Sequence, residues 1–588
     1  MKLAIKTNKW LLGVMVLLLL CRNHPASAGE QGLESRIATY VELMLKAEQI
    51  KGLSMGFVGP GGASWAAGFG YVNMASSTKG SQYTVYPVAS LTKLITSMAI
   101  MQLVDDGKLE LDAPVSDYLP DFSIQTRFQD QSPITIRHLL SHHGGLPRDL
   151  FKGLMAAEPD ARPDLLDYLS GQYMVYPPQA KYVYSNLGYD LLELVIERVS
   201  GQAFKAFVKD NVLKPLDMHD SFFYAEGADM SGLSRAYIRQ DQYHYQEYPQ
   251  RQHGSSGLYS TAHDMTQILT WLLSKGHMEP SVSADLFGKM LSDQKSSKTL
   301  DVSFKSGWSW ILEALPGPSG GIYAYQLGST MHYNAVMAIV PAHQVGVILL
   351  CNTGGVLEVL EEMAKMIVMA ALMEEGKMFS ETKSVAAVDL ATPNAEDIQR
   401  VKGHFLLQTD LFSITEMANQ VVLSSGGQTI QTAFHQDGWF SIEDSFRFTT
   451  SMLEDTSILV VDRLGSIYPV GSDISGSYRL PPDVFTRLGY YALEGVDPKG
   501  ETMIYSGAWL DLKDGILQLQ LLLSPHQERV FGYGSALYNL IPKSQHEAVI
   551  AGFGMYKGET VFFGEDTKGP YLMFSGLFFR LEPATEPG

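Results

Sequence analysis

Tyr86-Pro87-Val88-Ala89-Ser90-Leu91-Thr92-Lys93-Leu94-Ile95-Thr96-Ser97-Met98 is the stretch on which the fold turns. It reads as a loop that becomes a buried helix, with a serine at the helix start and a lysine one turn later. Residues three apart on a helix share a face, so Ser90 Oγ and Lys93 Nζ are expected to meet. Unpaired N–H groups and the positive end of the helix dipole favour an oxyanion at that position. Ile95, Met98, Ala99 and Leu103 keep the helix apolar on a broad face, and Gly107 is a C-cap candidate. A lysine in such surroundings tends to lose its proton, because burial disfavours the charged form. A neutral amine beside a hydroxyl activates it as a nucleophile.

The S-x-x-K pattern by itself decides little. It also occurs at Ser76…Lys79, Ser292…Lys295 and Ser380…Lys383, all in polar segments with no apolar helix behind them. Context therefore selects Ser90. Two G-x-S-x-G matches, Gly52–Gly56 and Gly317–Gly321, fail as nucleophile elbows. Such an elbow needs strand, turn and then helix, and neither has that order.

The chain has 588 residues, enough for several domains. Its 45% apolar and 18% charged content is that of a folded protein. The formal charge is −19; the first 28 residues carry four cations and no acid, leaving −23 on residues 29–588. That acidity argues against a nucleic-acid partner. Lysines ahead of the apolar run Trp10–Cys21, followed by Ala26-Ser27-Ala28, read as an export signal cleaved before Gly29. The run is short for a membrane span, so no stable span is expected after cleavage. The expected location is the periplasm or the medium of a bacterium. Cleavage would leave Cys351 as the only cysteine, without a disulfide.

Helical spacing marks Glu34–Ile50, Gly188–Val199 and Val356–Met373. Strand signals mark Ser54–Val58, Ala63–Phe69, Asn334–Val340 and Val345–Leu350. Tyr182-Val183-Tyr184-Ser185-Asn186 reads as a short β-like piece, with Tyr184 and Asn186 on one side. A phenol near an ammonium can serve as a general base, and an amide can hold a substrate carbonyl. His142-His143 has no further ligand cluster with metal spacing, so a structural loop role is expected and no metal. Helices mixed with antiparallel strands over the first ~375 residues suggest an α+β architecture. After a polar linker, Gly376–Asp397, strand-length runs continue to the end, including Ile504–Leu512, Ile516–Leu523 and Leu572–Phe579. They suggest one or two antiparallel β-barrels. Gly403-His404-Phe405 and Gly489-Tyr490-Tyr491 share a Gly-aromatic core, with Pro481-Pro482 between them.

Ser90-Leu91-Thr92-Lys93 and Tyr184-Ser185-Asn186, in this order and separation, resemble the first two motifs of the serine beta-lactamase-like hydrolases. That superfamily includes class C beta-lactamases, D-alanyl-D-alanine carboxypeptidases, D-aminopeptidases and esterases. The resemblance runs through roughly residues 34–375 and includes Ile134–Pro147, Gly257–Met265 and Gly307-Trp308. By position, the family's third motif falls at Gln326-Leu327-Gly328. Gly328 is kept, but the usual cation is Gln326, and Met331-His332 stands where the family usually has Pro-Gly. The cation helps to fix a substrate carboxylate; Arg148 and His332 are the candidates to replace it.

The resemblance implies a beta-lactamase/transpeptidase-like catalytic domain followed by a C-terminal antiparallel β-barrel region. The expected division is 1–28 signal peptide, 29–375 catalytic domain, 376–397 linker, 398–482 one β-barrel-like domain and 483–588 a second, or one larger barrel over 398–588. It implies Ser90, Lys93 and Tyr184 as catalytic residues. Asn186, Gln326, Gly328 and Ser329 are the implied substrate-binding residues, with the N–H groups of Ser90 and Ser329 as oxyanion donors. No cofactor or metal is implied. The expected function is an exported serine hydrolase that forms an acyl-enzyme on D-amino-acid peptides or related amides and esters. The rivals are a non-catalytic penicillin-binding sensor that keeps the fold, and a dedicated esterase or beta-lactamase. Expected partners are a small peptide, amide or ester substrate and further copies of the chain, associating through the barrels.

Overall fold

The computed structural model describes residues 32–582 apart from 152–163, 225–229, 240–251, 316–320, 375–388, 495–504, 524–534, 552–555 and gaps of one to three residues. The expected export signal, 1–28, and most of the linker expected at 376–397 lie outside the described residues. Among the described residues, no helix is long and apolar enough to cross a membrane. The chain forms two compact units that are not successive in sequence: Met1–Leu111 with Tyr189–Gln294 and Ser306–Thr382, and Asp112–Gly188 with Lys295–Lys305 and Lys383–Gly588.

The first unit is built on a seven-stranded antiparallel sheet. From one edge its strands are Thr78–Lys79, Ser64–Asn73, Gly52–Val58, Val345–Cys351, Asn334–Val340, Ile322–Ser329 and Ile311–Ala314. The central strands Gly52–Val58, Asn334–Val340 and Val345–Cys351 are buried along their whole length. That explains why they read as continuous apolar runs rather than alternating ones. On one face Met55, Val336, Val347 and Leu349 meet Ile37 and Val41 of the helix Leu33–Ala47, and Met363 and Ile367 of the helix Leu357–Glu374. Each such side chain contributes about 1.5–3 kcal/mol by leaving water.

On the other face the helix Ala262–Leu273 closes on the sheet so tightly that a Cβ on Gly56 would lie 1.9 Å from Thr266 Oγ1. Ser54 sits mid-strand, donating to Ser81 O at 2.8 Å and bonded to Tyr86 Oη at 3.0 Å. It is a structural hydroxyl, in line with the rejection of Gly52–Gly56 as an elbow. The second such match, Gly317–Gly321, falls largely outside the described residues.

In the second unit, ten strands between Leu390 and Asp473 form one sheet around Phe405, Ile414, Leu423, Phe440, Phe448 and Leu459. Eight further strands, Gly489–Leu493 to Leu577–Leu581, pair antiparallel in sequence order. The last returns to the first through Tyr491 opposite Leu581, closing a barrel. Closure leaves no unpaired edge. Both Gly-aromatic cores open a strand, Gly403–Leu406 and Gly489–Leu493, with Phe405 and Tyr491 wholly buried. Leu572–Phe579, read as one strand, is two: Gly569–Phe574 and Leu577–Leu581 form a hairpin with Phe574 opposite Leu577. Ser575 makes the turn with φ of +50°, a conformation that short polar residues tolerate.

Candidate active site

In the first unit, Ser90 lies in a 3-10 turn, Ala89–Leu91, that leads directly into the helix Thr92–Asp105. Ala89, immediately before it, has φ of +48°. A non-glycine residue in that region costs energy of order 1–3 kcal/mol, and such residues cluster at functional sites. The turn is held from outside. Val88 N–H donates to Leu258 O, Leu258 N–H donates to Thr92 Oγ1, and Thr92 Oγ1 donates to Ala89 O. The helix is buried nearly all round, unlike the one-sided helices of a protein surface.

Lys93 is completely buried. Its Nζ donates to Ser90 Oγ at 3.2 Å and to Ser255 O at 2.8 Å, and lies 5.5 Å from the centre of the Tyr189 ring. The expected i, i+3 meeting therefore occurs. Ser255 and Tyr189 were not legible as part of it. Tyr189 is itself anchored by hydroxyls, with Oη 2.6 Å from Ser309 Oγ and 3.3 Å from Ser97 Oγ.

The strand Ile322–Ser329 brings the remaining predicted residues of this unit. Gln326 is buried and its Nε2 donates to Ser90 O at 3.4 Å. Gly328 is where the strand touches the turn that carries Ser90; a Cβ there would stand 2.4 Å from Val88 O. Ser329 ends the strand, exposed, with its hydroxyl on Asn334 Oδ1 at 3.0 Å. His332 is buried, and its N–H donates to Thr330 Oγ1 at 3.4 Å.

Tyr184 and Asn186 lie in the second unit. Residues 182–185 are not a strand; the helix starts at Asn186, two residues before the expected Gly188. Ser185 Oγ accepts from Gly188 N–H at 3.1 Å, the geometry of an N-cap. Arg148 O accepts the N–H groups of Asn186 and Leu187. The Asn186 amide donates to Asp149 Oδ1 at 2.6 Å, and Asp149 Oδ2 accepts from Arg148 Nε at 3.0 Å.

The Tyr184 ring lies 4.5 Å from the His142 ring and 4.8 Å from the Arg148 guanidinium. Burial works against the charge on Arg148, but Asp149, Tyr556, Tyr184 and Glu559 outweigh it and raise its pKa further. His142 Nδ1 accepts from Ser185 N–H, and His143 Nε2 meets Asp301 Oδ2 at 3.0 Å. Both histidines thus brace the loop that carries Tyr184. Among the described residues, no group of three or more His, Cys, Asp or Glu side chains could hold a metal.

The Beta-lactamase family profile matches residues 34–370, which takes in both motifs and the strand Ile322–Ser329. The chain belongs to the beta-lactamase family. Protein flp of Staphylococcus aureus (strain MW2) is 32% identical over 191 residues, 32% of this chain and 38% of that protein. Beta-lactamase-like protein 2 of Dictyostelium discoideum is 32% identical over 197 residues, 32% of this chain and 36% of that protein. The match therefore spans less than two fifths of the length of these curated relatives. Among solved structures, an octameric penicillin-binding protein homologue from Pyrococcus abyssi superposes with a TM-score of 0.48 and 21% identity. That superposition covers 74% of this chain and 98% of the other. A class C beta lactamase from Rhodobacter sphaeroides gives 0.48 and 20%, covering 58% and 99%.

Within this family member, Ser90, Lys93, Gln326 and Gly328 come together in the first unit, and Tyr184 and Asn186 rest on Arg148-Asp149 in the second. Gln326, at the position where the resemblance leads one to expect a cation, is engaged with the backbone of Ser90.

Proposed function

We propose that this beta-lactamase-family protein is an exported serine hydrolase that works through an acyl-enzyme on D-amino-acid peptides or related amides and esters. The observation that carries the reading is the contact of Lys93 Nζ with Ser90 Oγ at 3.2 Å, made by a lysine with no exposed surface. Ser90 Oγ attacks the substrate carbonyl as its proton passes to Lys93, with Tyr184 completing the transfer to the leaving amine or alcohol. The N–H groups of Ser90 and Ser329 receive the oxyanion, each contributing about 3–4 kcal/mol to the transition state. Asn186 orients the acyl group. Water then attacks the ester on Ser90, and the same groups return the proton.

The test is intact-protein mass spectrometry of residues 29–588 with a fluorescent penicillin and a fluorophosphonate, followed by peptide mapping. A single adduct on the peptide holding Ser90, with turnover of p-nitrophenyl esters or D-amino-acid amides, is the expected result. An adduct that never turns over would favour a penicillin-binding sensor. An absence of both adduct and turnover would favour a non-catalytic binding protein.

Gln326 supports a tilt toward esters or amides without a carboxylate. A glutamine donates hydrogen bonds but brings no charge, and charge-assisted bonds are roughly twice as strong. Gln326→His is therefore expected to raise kcat/KM on carboxylate-bearing D-peptides by about fivefold to tenfold over p-nitrophenyl acetate, in assays near pH 6. An unchanged ratio would show that position 326 does not read the substrate carboxylate.

A further inference from the structure

Asp149 and Arg148, which carry Asn186, are themselves held by the barrel. Arg148 N–H donates to Glu559 Oε1 at 2.7 Å, across 411 residues of sequence. Ser575 Oγ donates to Asp149 O at 2.6 Å, and Ser575 O accepts from Phe151 N–H at 2.9 Å. Glu559 immediately precedes the barrel strand Thr560–Asp566, and Ser575 turns the last hairpin. On the other side of the same two residues, Arg148 O and Asp149 Oδ1 receive the backbone and side chain of Asn186. The segment is thus clamped between barrel and motif, and Asp149 is 3% exposed.

We propose that Glu559 and Ser575 are positioning residues for the Tyr184-Ser185-Asn186 motif, acting through Arg148 and Asp149. This rests on the reaction proposed above and adds a role for the barrel: it sets the amide that orients the acyl group. The choice of a carboxyl at 559 also links the clamp to pH. Glu559 is faced by Arg148 and Asp149 from the motif loop, by Tyr168 from the helix Leu165–Ser170, and by Tyr556 from its own turn. Burial pushes its pKa up to about 8, with Asp149 adding to the rise while the Arg148 N–H and charge oppose it. Below that pH the group is neutral and Arg148 and Asp149 balance each other. Above it, a charge is buried there beside Asp149, which destabilises the packed site even though the Arg148 N–H bond itself favours the carboxylate.

The test compares full-length wild type, Glu559→Ala, Glu559→Gln and Ser575→Ala by hydrogen-exchange mass spectrometry of peptides spanning 145–151 and 183–188. Ester kinetics from pH 6 to 9.5 accompany it. Glu559→Ala should speed exchange in both peptides and lower kcat by about tenfold or more with little change in KM. Glu559→Gln keeps an acceptor for Arg148 N–H and should restore both at pH 7. It should also lose the part of the wild-type decline in kcat that sets in near pH 8. Unchanged exchange at 183–188 in Glu559→Ala, or failure of the glutamine to restore it, would overturn the proposal. If Glu559→Ala does not fold, Ser575→Ala must still speed exchange at 183–188, and the idea fails if it does not. If the wild type turns over neither p-nitrophenyl esters nor D-amino-acid amides, the reaction is wrong, and exchange at 183–188 alone judges the clamp.

Discussion

Ser90→Ala is expected to abolish the covalent adduct and to reduce turnover by about 10⁴-fold or more, the scale on which loss of an activated serine acts elsewhere. Lys93 Nζ donates to Ser90 Oγ at 3.2 Å and to the carbonyl of Ser255 at 2.8 Å. Removing Oγ leaves the bond of Lys93 to that carbonyl and its place on the face of Tyr189 untouched, so the fold should lose only about 1 kcal/mol. A near-normal melting temperature with no adduct is the expected pair of results. Ser76→Ala is the matched control: its hydroxyl meets Thr78 Oγ1 at 2.7 Å on an exposed turn, and activity should stay within about twofold. An adduct that persists in Ser90→Ala would place the nucleophile elsewhere.

What the sequence made legible followed the range of the interactions. The Ser90–Lys93 contact is set by helical spacing, so thirteen residues sufficed to read it. The two central strands around Pro341 were legible because both of their faces are buried and the apolar run is unbroken. Tyr182–Asn186 looked β-like because its alternation is that of a strand, yet among the described residues no strand pairs with it. The N–H of Tyr182 goes instead to Asp301, those of Val183 and Ser185 to His142, and that of Asn186 to Arg148 where the helix begins. Ser185 three residues before Gly188 was the local signal for that earlier start, as a serine N-cap.

No local signal existed for Ser255, 162 residues from Lys93, or for Glu559, 411 residues from Arg148. Each is a polar partner brought by tertiary packing from far along the chain. Asp149 is intermediate. Its neighbour Arg148 was noticed as a charge that could replace the lost cation, whereas the structure engages that pair in holding Asn186.

Gly328→Ala is expected to cost about 1–3 kcal/mol of stability and to slow acylation of Ser90 by about 100-fold, although no catalytic atom is removed. The added Cβ would fall 2.4 Å from Val88 O and 3.3 Å from Ala335 Cβ. Val88 O accepts from Leu91 N–H and so defines the turn that presents Ser90. The strand cannot retreat freely, because Asn334–Val340 pairs with it through Gly328 opposite Ala335 and Gln326 opposite Met337. The clash must therefore be relieved at the turn, where Ala89 already holds φ of +48°. Displacement of Ser90 by even a fraction of an ångström lengthens its bond to Lys93 and misdirects its N–H toward the oxyanion. Gly288→Ala separates this from a general intolerance of side chains at glycine. Nothing lies within 4 Å of a Cβ there, and the residue is inside the helix Ala284–Met290. That substitution should raise stability by about 0.5–1 kcal/mol and leave acylation unchanged. A slow, destabilised Gly328→Ala beside a normal Gly288→Ala would show that the third-motif glycine is retained for the close approach of strand to nucleophile. Equal behaviour of the two would mean that the turn can absorb the contact, and that the loss of a cation at Gln326 is the only consequential change on that strand.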